Sequence, residues 1–331
     1  MIDDLIAAVG NTPLVELSAL PGLKAGTRLF AKLEQLNPSG SIKDRPVSRM
    51  MIAAIRRGDL NHDRRLLDSS SGNAGIAYAM FGAAAGIGVT LVIPGNASRE
   101  RLSRIAAHGV EILTTDPLQG YDAAILEAQR LAAEEPDRYW YANQYANDDN
   151  WEAHYRTTGP EILEQVTLAT GGPPDAFVAG VGTGGTLTGI GRRLKEACPD
   201  VRIAAVIPER FPGIEGLKPL GLPGDLVPEI LDQSLIEHRF EITTDESIAM
   251  AAALARTGLF VGPSSGAYVH AAMQLARNTG VRTIATVLSD TGERYASTGL
   301  WDPPALSPAH ASSRRSKTAS AAATVPTGEA L

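Results

Sequence analysis

Three short stretches concentrate the residues that can do chemistry. In "NPSGSIKDR" (residues 37–45), Lys43 stands directly behind a Pro-Ser-Gly-Ser turn and ahead of Val47, Met50, Met51 and Ala54, which recur at helical spacing. Pro46 is tolerated in a first helical turn, so Lys43 is expected at the mouth of a helix. There the positive end of the dipole lowers its pKa and favours a neutral amine, a nucleophile towards aldehydes. Taken alone, the same residue reads as an ordinary surface lysine. In "GVGTGGT" (residues 180–186) a strand-like run turns into a helix, so unpaired N–H groups converge and favour a phosphate, with Thr183 and Thr186 as further donors. A plain turn competes with that reading, as does a Rossmann nucleotide site with Glu209 available for a ribose. "SSSGNAG" (residues 69–75) has the same context with three hydroxyls and an amide. It either caps a helix or receives a carboxylate or other small anion.

One anion site lined with glycine and another lined with serine suggest a cofactor phosphate and a substrate carboxylate. Combined with a lysine that can react with an aldehyde, they point to pyridoxal 5'-phosphate (PLP) held by Lys43 as a Schiff base.

The elements that must position these residues follow one grammar, a β-rich run, a Gly/Ser turn, then a helix. "RRLLD" leads into "AGIAYAMFGAAAG" and "VTLVIP", and "DAFVAGV" leads into "TLTGIGRRLKEA" and "VRIAAVIP". "GVEILTT" precedes the helix "YDAAILEAQRLAAEE"; near the end come helices in "DESIAMAAALARTG" and "AYVHAAMQLARN" and a strand in "TIATVLSD". Alternation of this kind implies α/β architecture with parallel sheets flanked by helices. The 30 residues from Ser69 to Ser98 carry no charge, but the "GIG" break divides them into a buried helix and a buried strand rather than a membrane span.

The 331 residues, 44% of them hydrophobic, suffice for two lobes. A net charge of −7 disfavours nucleic acid and anionic membranes as partners. Cys198 is the only cysteine, so no intrachain disulfide forms, and a structural role is expected for it. The acidic start "MIDDLIAAVG" lacks the basic region of a signal peptide, which makes the cytoplasm the expected location. The six histidines have no ligand spacing, so no metal site is expected. After Trp301 the composition turns to Ala, Ser, Thr and Pro, and residues 303–331 read as a disordered tail. The aromatic and Asn-rich residues 139–155 read as the crossing between lobes. That gives a smaller substrate-loop lobe at 38–150 and a larger PLP-binding lobe at 1–37 and 151–302.

With these blocks in view, the sequence resembles the cysteine synthase and cystathionine β-synthase family of fold-type II (tryptophan synthase β-like) PLP enzymes. The likeness is nearest to the cysteine synthase B or O-phosphoserine sulfhydrylase type. Seven blocks stand in the family's order: "GNTPLV", "NPSGSIKDR", "SGNAG", "HYRTTGPEI", "GVGTGGT", "GPSSGA" and "SDTGERYASTG". The resemblance implies that Lys43 carries the cofactor and moves the substrate's α-proton, and that Asn73 faces the cofactor's phenolic oxygen. It implies that Gly182, Thr183, Gly184, Gly185 and Thr186 take the phosphate. Ser264, with Ser265 as the lesser claimant, would meet the pyridine nitrogen. Ser70, Ser71, Gly72 and Gln144 would hold the substrate, with Lys218, helped by Arg210, at the phosphate of O-phosphoserine. The implied reaction is β-replacement on an O-activated L-serine to give L-cysteine. Sulfide or a sulfur-carrier protein would be the sulfur source, in a homodimer. Three departures stand out: Ser70 and, more tellingly, Ala74 where the family usually has threonine, and Pro263 where isoleucine is common. Ala74 leaves cystathionine formation or 2,3-diaminopropionate synthesis as alternatives, and a nucleotide-binding regulatory protein is the alternative outside enzymes.

Overall fold

The computed structural model describes residues 1–18, 20–221 and 225–301; the tail expected at 303–331 lies outside the described residues. The strands are β1 (Leu14–Glu16), β2 (Arg28–Leu33), β3 (Arg65–Ser69), β4 (Val89–Pro94), β5 (Glu111–Thr115), β6 (Tyr139–Tyr141), β7 (Ala176–Gly180), β8 (Arg202–Pro208), β9 (Ile236–Ile242) and β10 (Thr283–Leu288). The helices are α1 (Ile2–Ala7), α2 (Asp44–Arg57), α3 (Asn73–Ala85), α4 (Arg99–Ala107), α5 (Gly120–Glu134), α6 (Asp148–Ala153), α7 (Gly159–Thr170), α8 (Gly185–Ala197), α9 (Thr244–Arg256) and α10 (Pro263–Thr279). A π-helical turn, His154–Thr158, joins α6 to α7.

Two sheets result. A six-stranded sheet has the order β1-β2-β10-β7-β8-β9, and a four-stranded sheet has the order β5-β4-β3-β6. Every pairing in the smaller sheet is parallel. The larger sheet departs from the all-parallel expectation at its edge, where the three-residue β1 pairs antiparallel with β2. So short a segment carries no readable alternation, and β2 and β6 escaped the sequence pattern for related reasons. β2 places Lys32 in its interior with no exposure, and β6 is three aromatic residues.

The continuous apolar runs are explained by burial on both faces. Along β3, Leu66 joins the cluster that contains Val47 and Met50 of α2 and Ile76 and Phe81 of α3. Its neighbour Leu67 joins Ala124 and Ala128 of α5 on the opposite face. The uncharged stretch from Ser69 to Ser98 becomes α3 and β4, every residue of β4 being buried. Around the larger sheet, Phe177, Ile203, Val206 and Ile284 form one core with Ile190 of α8 and Leu275 of α10. The carboxyl ends of β3, β7, β8 and β10 all reach the same cavity, the position at which open parallel sheets present ligand sites.

Candidate active site

Lys43 is the N-cap residue of α2, at the helix mouth where the sequence placed it. Its neighbours are locked. Asp44 accepts hydrogen bonds from the amide and hydroxyl of Ser39 across the turn. Arg45 is bonded to Glu34 at 2.7 Å and to Glu161 at 2.7 Å, and Glu161 also pairs with the fully buried Lys32. Burial would raise the Glu161 carboxyl, but Arg45 and Lys32 hold it at about 2. With the two residues that follow it anchored, α2 fixes Lys43 against a cavity of about 700 Å³. Among the described residues, the Lys43 ammonium meets no hydrogen-bond or ion-pair partner. Burial lowers its pKa to about 8. The cause differs from the helix dipole inferred from sequence: the amine is taken out of water and no carboxylate compensates it.

Across the cavity lies the Gly182–Thr186 loop, which enters α8 through Gly184 in the left-handed region. Among the described residues, nothing accepts the backbone N–H groups of Gly182, Thr183 and Gly184. Gly182, Thr183, Gly184 and Thr186 line the cavity, whereas Gly185 turns its Cα towards Asn150. A Cβ there would lie 2.1 Å from Asn150 Oδ1, so the expected contribution of Gly185 is close packing of the helix start rather than part of the cavity wall. A cradle of free amides and two hydroxyls facing an unpaired amine fits both ends of PLP.

Ser70, Ser71, Gly72, Asn73 and Gln144 form another wall of the same cavity. Gln144 is buried, its amide 3.5 Å from the Ser69 carbonyl. Asn73 is held at both ends, donating to Asp290 at 2.7 Å and accepting from Arg294. Arg294 also donates to the Ser39 carbonyl, so one guanidinium ties Asn73 to the turn that precedes Lys43. Tyr295 adds a 2.9 Å bond to the same Asp290 oxygen. Ser264 lines the cavity, while Ser265 is fully buried and accepts the Ser289 amide at 2.9 Å. Ser264 shares hydrogen bonding with Tyr268, whose hydroxyl is pushed up to about 12 by burial.

The mouth is different in kind. Lys218 donates to Asp122 at 3.0 Å and lies 5.1 Å from the centre of the Tyr145 ring. Arg210 reaches both carboxylate oxygens of Asp225 through one nitrogen, Nη2, at 2.9 and 2.8 Å, and Arg101 pairs with Glu215. The cations that sequence reading assigned to a substrate phosphate therefore line the same cavity as Lys43, each with a carboxylate partner. Glu209, the residue a ribose would need, instead accepts the Thr244 amide at the start of α9. Among the described residues no group of side chains has metal-binding composition, and no helix is long and apolar enough to cross a membrane.

Sequence reading missed Arg101, Tyr121, Asp122, Asp290 and Arg294. For the last two a signal existed, since "SDTGER" carries both and had no role attached to it. Tyr121 and Asp122 read as the first turn of an ordinary helix, and nothing local says that they face the cavity.

An amine that gives up its proton near neutral pH, set opposite a cradle for an anion, can grip a phosphorylated aldehyde at both ends. Fold and site together define a pyridoxal-phosphate enzyme. Residues 5–290 match the family described as "Pyridoxal-phosphate dependent enzyme", and the chain belongs to it. It is 42% identical over 307 residues to a cysteine synthase of Aquifex aeolicus, covering 90% of this chain and 92% of that one. A cysteine synthase B of Pseudomonas aeruginosa is 40% identical over 296 residues, 89% and 96% of the two chains. Among solved structures, an O-ureido-L-serine synthase superposes with a TM-score of 0.83 at 34% identity, covering 93% and 97%. The chain is thus a PLP-dependent enzyme of the cysteine synthase type, acting by β-replacement. The nucleotide-binding, regulatory reading is overturned.

Proposed function

We propose that this enzyme converts O-phospho-L-serine and a sulfur nucleophile to L-cysteine. The observation that carries the reading is Lys43, a half-buried lysine without a partner among the described residues, facing the phosphate cradle on one side and the Ser70–Asn73 wall on the other. When bound, PLP supplies an electron sink that allows the α-proton and then the β-substituent to leave. The chain's own residues do the rest. Lys43 holds the cofactor and moves the α-proton, and its pKa of about 8 keeps a usable fraction neutral at working pH. Gly182, Thr183, Gly184 and Thr186 bind the phosphate. Ser70, Ser71, Gly72 and Gln144 receive the substrate carboxylate, and Asn73 orients the ring. Ser264 meets the pyridine nitrogen; a hydroxyl cannot fully protonate it, which favours elimination over transamination. Sulfide or a sulfur-carrier protein would supply the nucleophile, in a homodimer.

Lys218 is the residue that favours the phosphorylated donor. Its partner Asp122 is 62% exposed, so a phosphate dianion can take the ammonium while the displaced carboxylate is hydrated. The same ion pair favours a second reading, O-acetyl-L-serine, since a neutral ester leaves it undisturbed. The Ala74 side chain is buried at the wall without a hydroxyl, which keeps a larger nucleophile open. Comparison of both donors in the parent and in Lys218→Ala separates the readings. A charge-assisted contact of about 1.5–3 kcal/mol predicts a selective loss of roughly one to two decades in kcat/KM for O-phosphoserine. Equal losses with both donors, or none, would establish acetylserine as the better donor.

A further inference from the structure

Behind the phosphate loop lie two buried polar residues that the reaction itself does not use. Asn150 of α6 and His154, the first residue of the π-helical turn, stand four residues apart and face the start of α8. Gly189 of α8 makes the approach possible, since a Cβ there would lie 2.2 Å from the Trp151 carbonyl and 2.8 Å from the His154 Cβ. π-helical turns of this kind recur where a side chain has to be aimed.

Each residue touches one loop hydroxyl. Asn150 Nδ2 lies 2.6 Å from the Gln144 carbonyl, which can only accept, so the amide orientation is settled. The same Nδ2 is 3.1 Å from Thr183 Oγ1, and Thr183 therefore accepts. His154 Nε2 is 3.3 Å from Thr186 Oγ1, and Nδ1 is 2.9 Å from Thr158 Oγ1. Burial, with the nearby charges of Arg45 and Lys43, keeps this imidazole neutral, so one nitrogen donates and the other accepts. Thr158 decides which. Its side chain is fully buried, and among the described residues Nδ1 is the acceptor its hydroxyl reaches. A buried hydroxyl donates where it can. Nδ1 then accepts, Nε2 carries the hydrogen, and Thr186 accepts as Thr183 does.

We infer that Asn150 and His154 are positioning residues that make Thr183 and Thr186 acceptors on their rear side, leaving both hydroxyl hydrogens for an anion in the cavity. The inference rests on the reading that this loop takes the cofactor phosphate. Without the rear donors, each hydroxyl is free to spend its hydrogen on a protein acceptor, and the cradle loses donors without any change in shape.

Two measurements test this. Long-range proton–nitrogen spectra of the 15N-histidine-labelled holoenzyme, with His154 assigned through His154→Gln, should give the Nε2–H tautomer; the Nδ1–H tautomer overturns the proposal. Titration of apoenzyme with PLP, followed by absorbance, should show about ten-fold weaker binding in Thr186→Val and in His154→Asn. His154→Gln, which keeps a donor near the Nε2 position, should recover most of the affinity. The double variant His154→Asn, Thr186→Val should be no weaker than Thr186→Val alone, because the two act through one contact. Additive losses, or no recovery with glutamine, would mean that His154 serves only packing and would overturn its positioning role. If Thr183→Val and Thr186→Val both leave PLP affinity unchanged, the phosphate assignment of the loop fails instead, and the inference with it.

Discussion

The floor and the mouth of one cavity are built on opposite rules. On the floor, groups that could pair do not: among the described residues, Lys43 has no carboxylate beside it, and the loop amides at Gly182–Gly184 have no protein acceptor. At the mouth every cation found has a carboxylate, in the pairs Arg101–Glu215, Arg210–Asp225 and Lys218–Asp122. Unpaired buried groups cost stability, and a ligand that completes them offsets that cost. Each of these pairs has one exposed member, Glu215, Arg210 or Asp122, and a pair open to water on one side can be exchanged for a substrate's charge at small cost. On the proposed reading, the floor is committed to one cofactor, and the mouth is the part that chooses among activated serines.

Variants sharpen that contrast. The largest effect short of removing Lys43 is expected at Asn73, which Asp290 and Arg294 hold between the substrate wall and the turn before Lys43. Asn73→Ala should keep PLP, as read from absorbance, yet slow the first half-reaction by about ten- to a hundred-fold with both serine donors alike. Stopped-flow measurement at the parent rate would remove Asn73 from the floor. At the mouth, the loss in Lys218→Ala should be confined to the phosphorylated donor. A similar factor should appear in a pH profile. With a pKa of about 8, Lys43 is roughly one-tenth neutral at pH 7 and nine-tenths neutral at pH 9. The rate at which apoenzyme captures PLP should rise about ten-fold over that range, and a rate that is flat with pH would contradict the buried amine.

The smallest effect concerns stability. Lys43 has a lower pKa folded than unfolded, so its charge destabilises the apoprotein below about pH 8, and the penalty is relieved as pH rises towards the ordinary lysine value of 10.5. Lys43→Met should raise the apoprotein Tm by about 2–4 °C at pH 7, by less at pH 9.5. A lowered Tm would place the ammonium in a favourable contact.

Much of the floor was legible because its residues lie in contiguous blocks. Glycines, hydroxyls and a lysine at helix starts declare themselves through the chemistry of helix N-termini, and Lys43, Asn73, Gly182, Thr183, Gly184 and Thr186 line one cavity. Even there, the close approach of Asn150 to Gly185, which leaves no room for a Cβ, is visible only in three dimensions. The mouth was legible only in part. Lys218 could be picked out, but its partner Asp122 is 96 residues away on another sheet's helix, and no local pattern joins them. The same holds for Arg294 and Asn73, separated by 221 residues. In the fold, the alternating β and α units were readable from apolar runs, whereas β1 and β6, three residues each, depend on the strands they pair with.

The central claim is that Lys43, alone on the cavity floor, is the amine that holds the cofactor. Reduction of the PLP-loaded enzyme with borohydride, followed by proteolysis and mass spectrometry, tests it directly. The account predicts the reduced pyridoxyl mass on the peptide containing Lys43 and its disappearance, with the long-wavelength absorbance, in Lys43→Ala. A label on Lys218, Lys32 or any other lysine in the parent enzyme would contradict it.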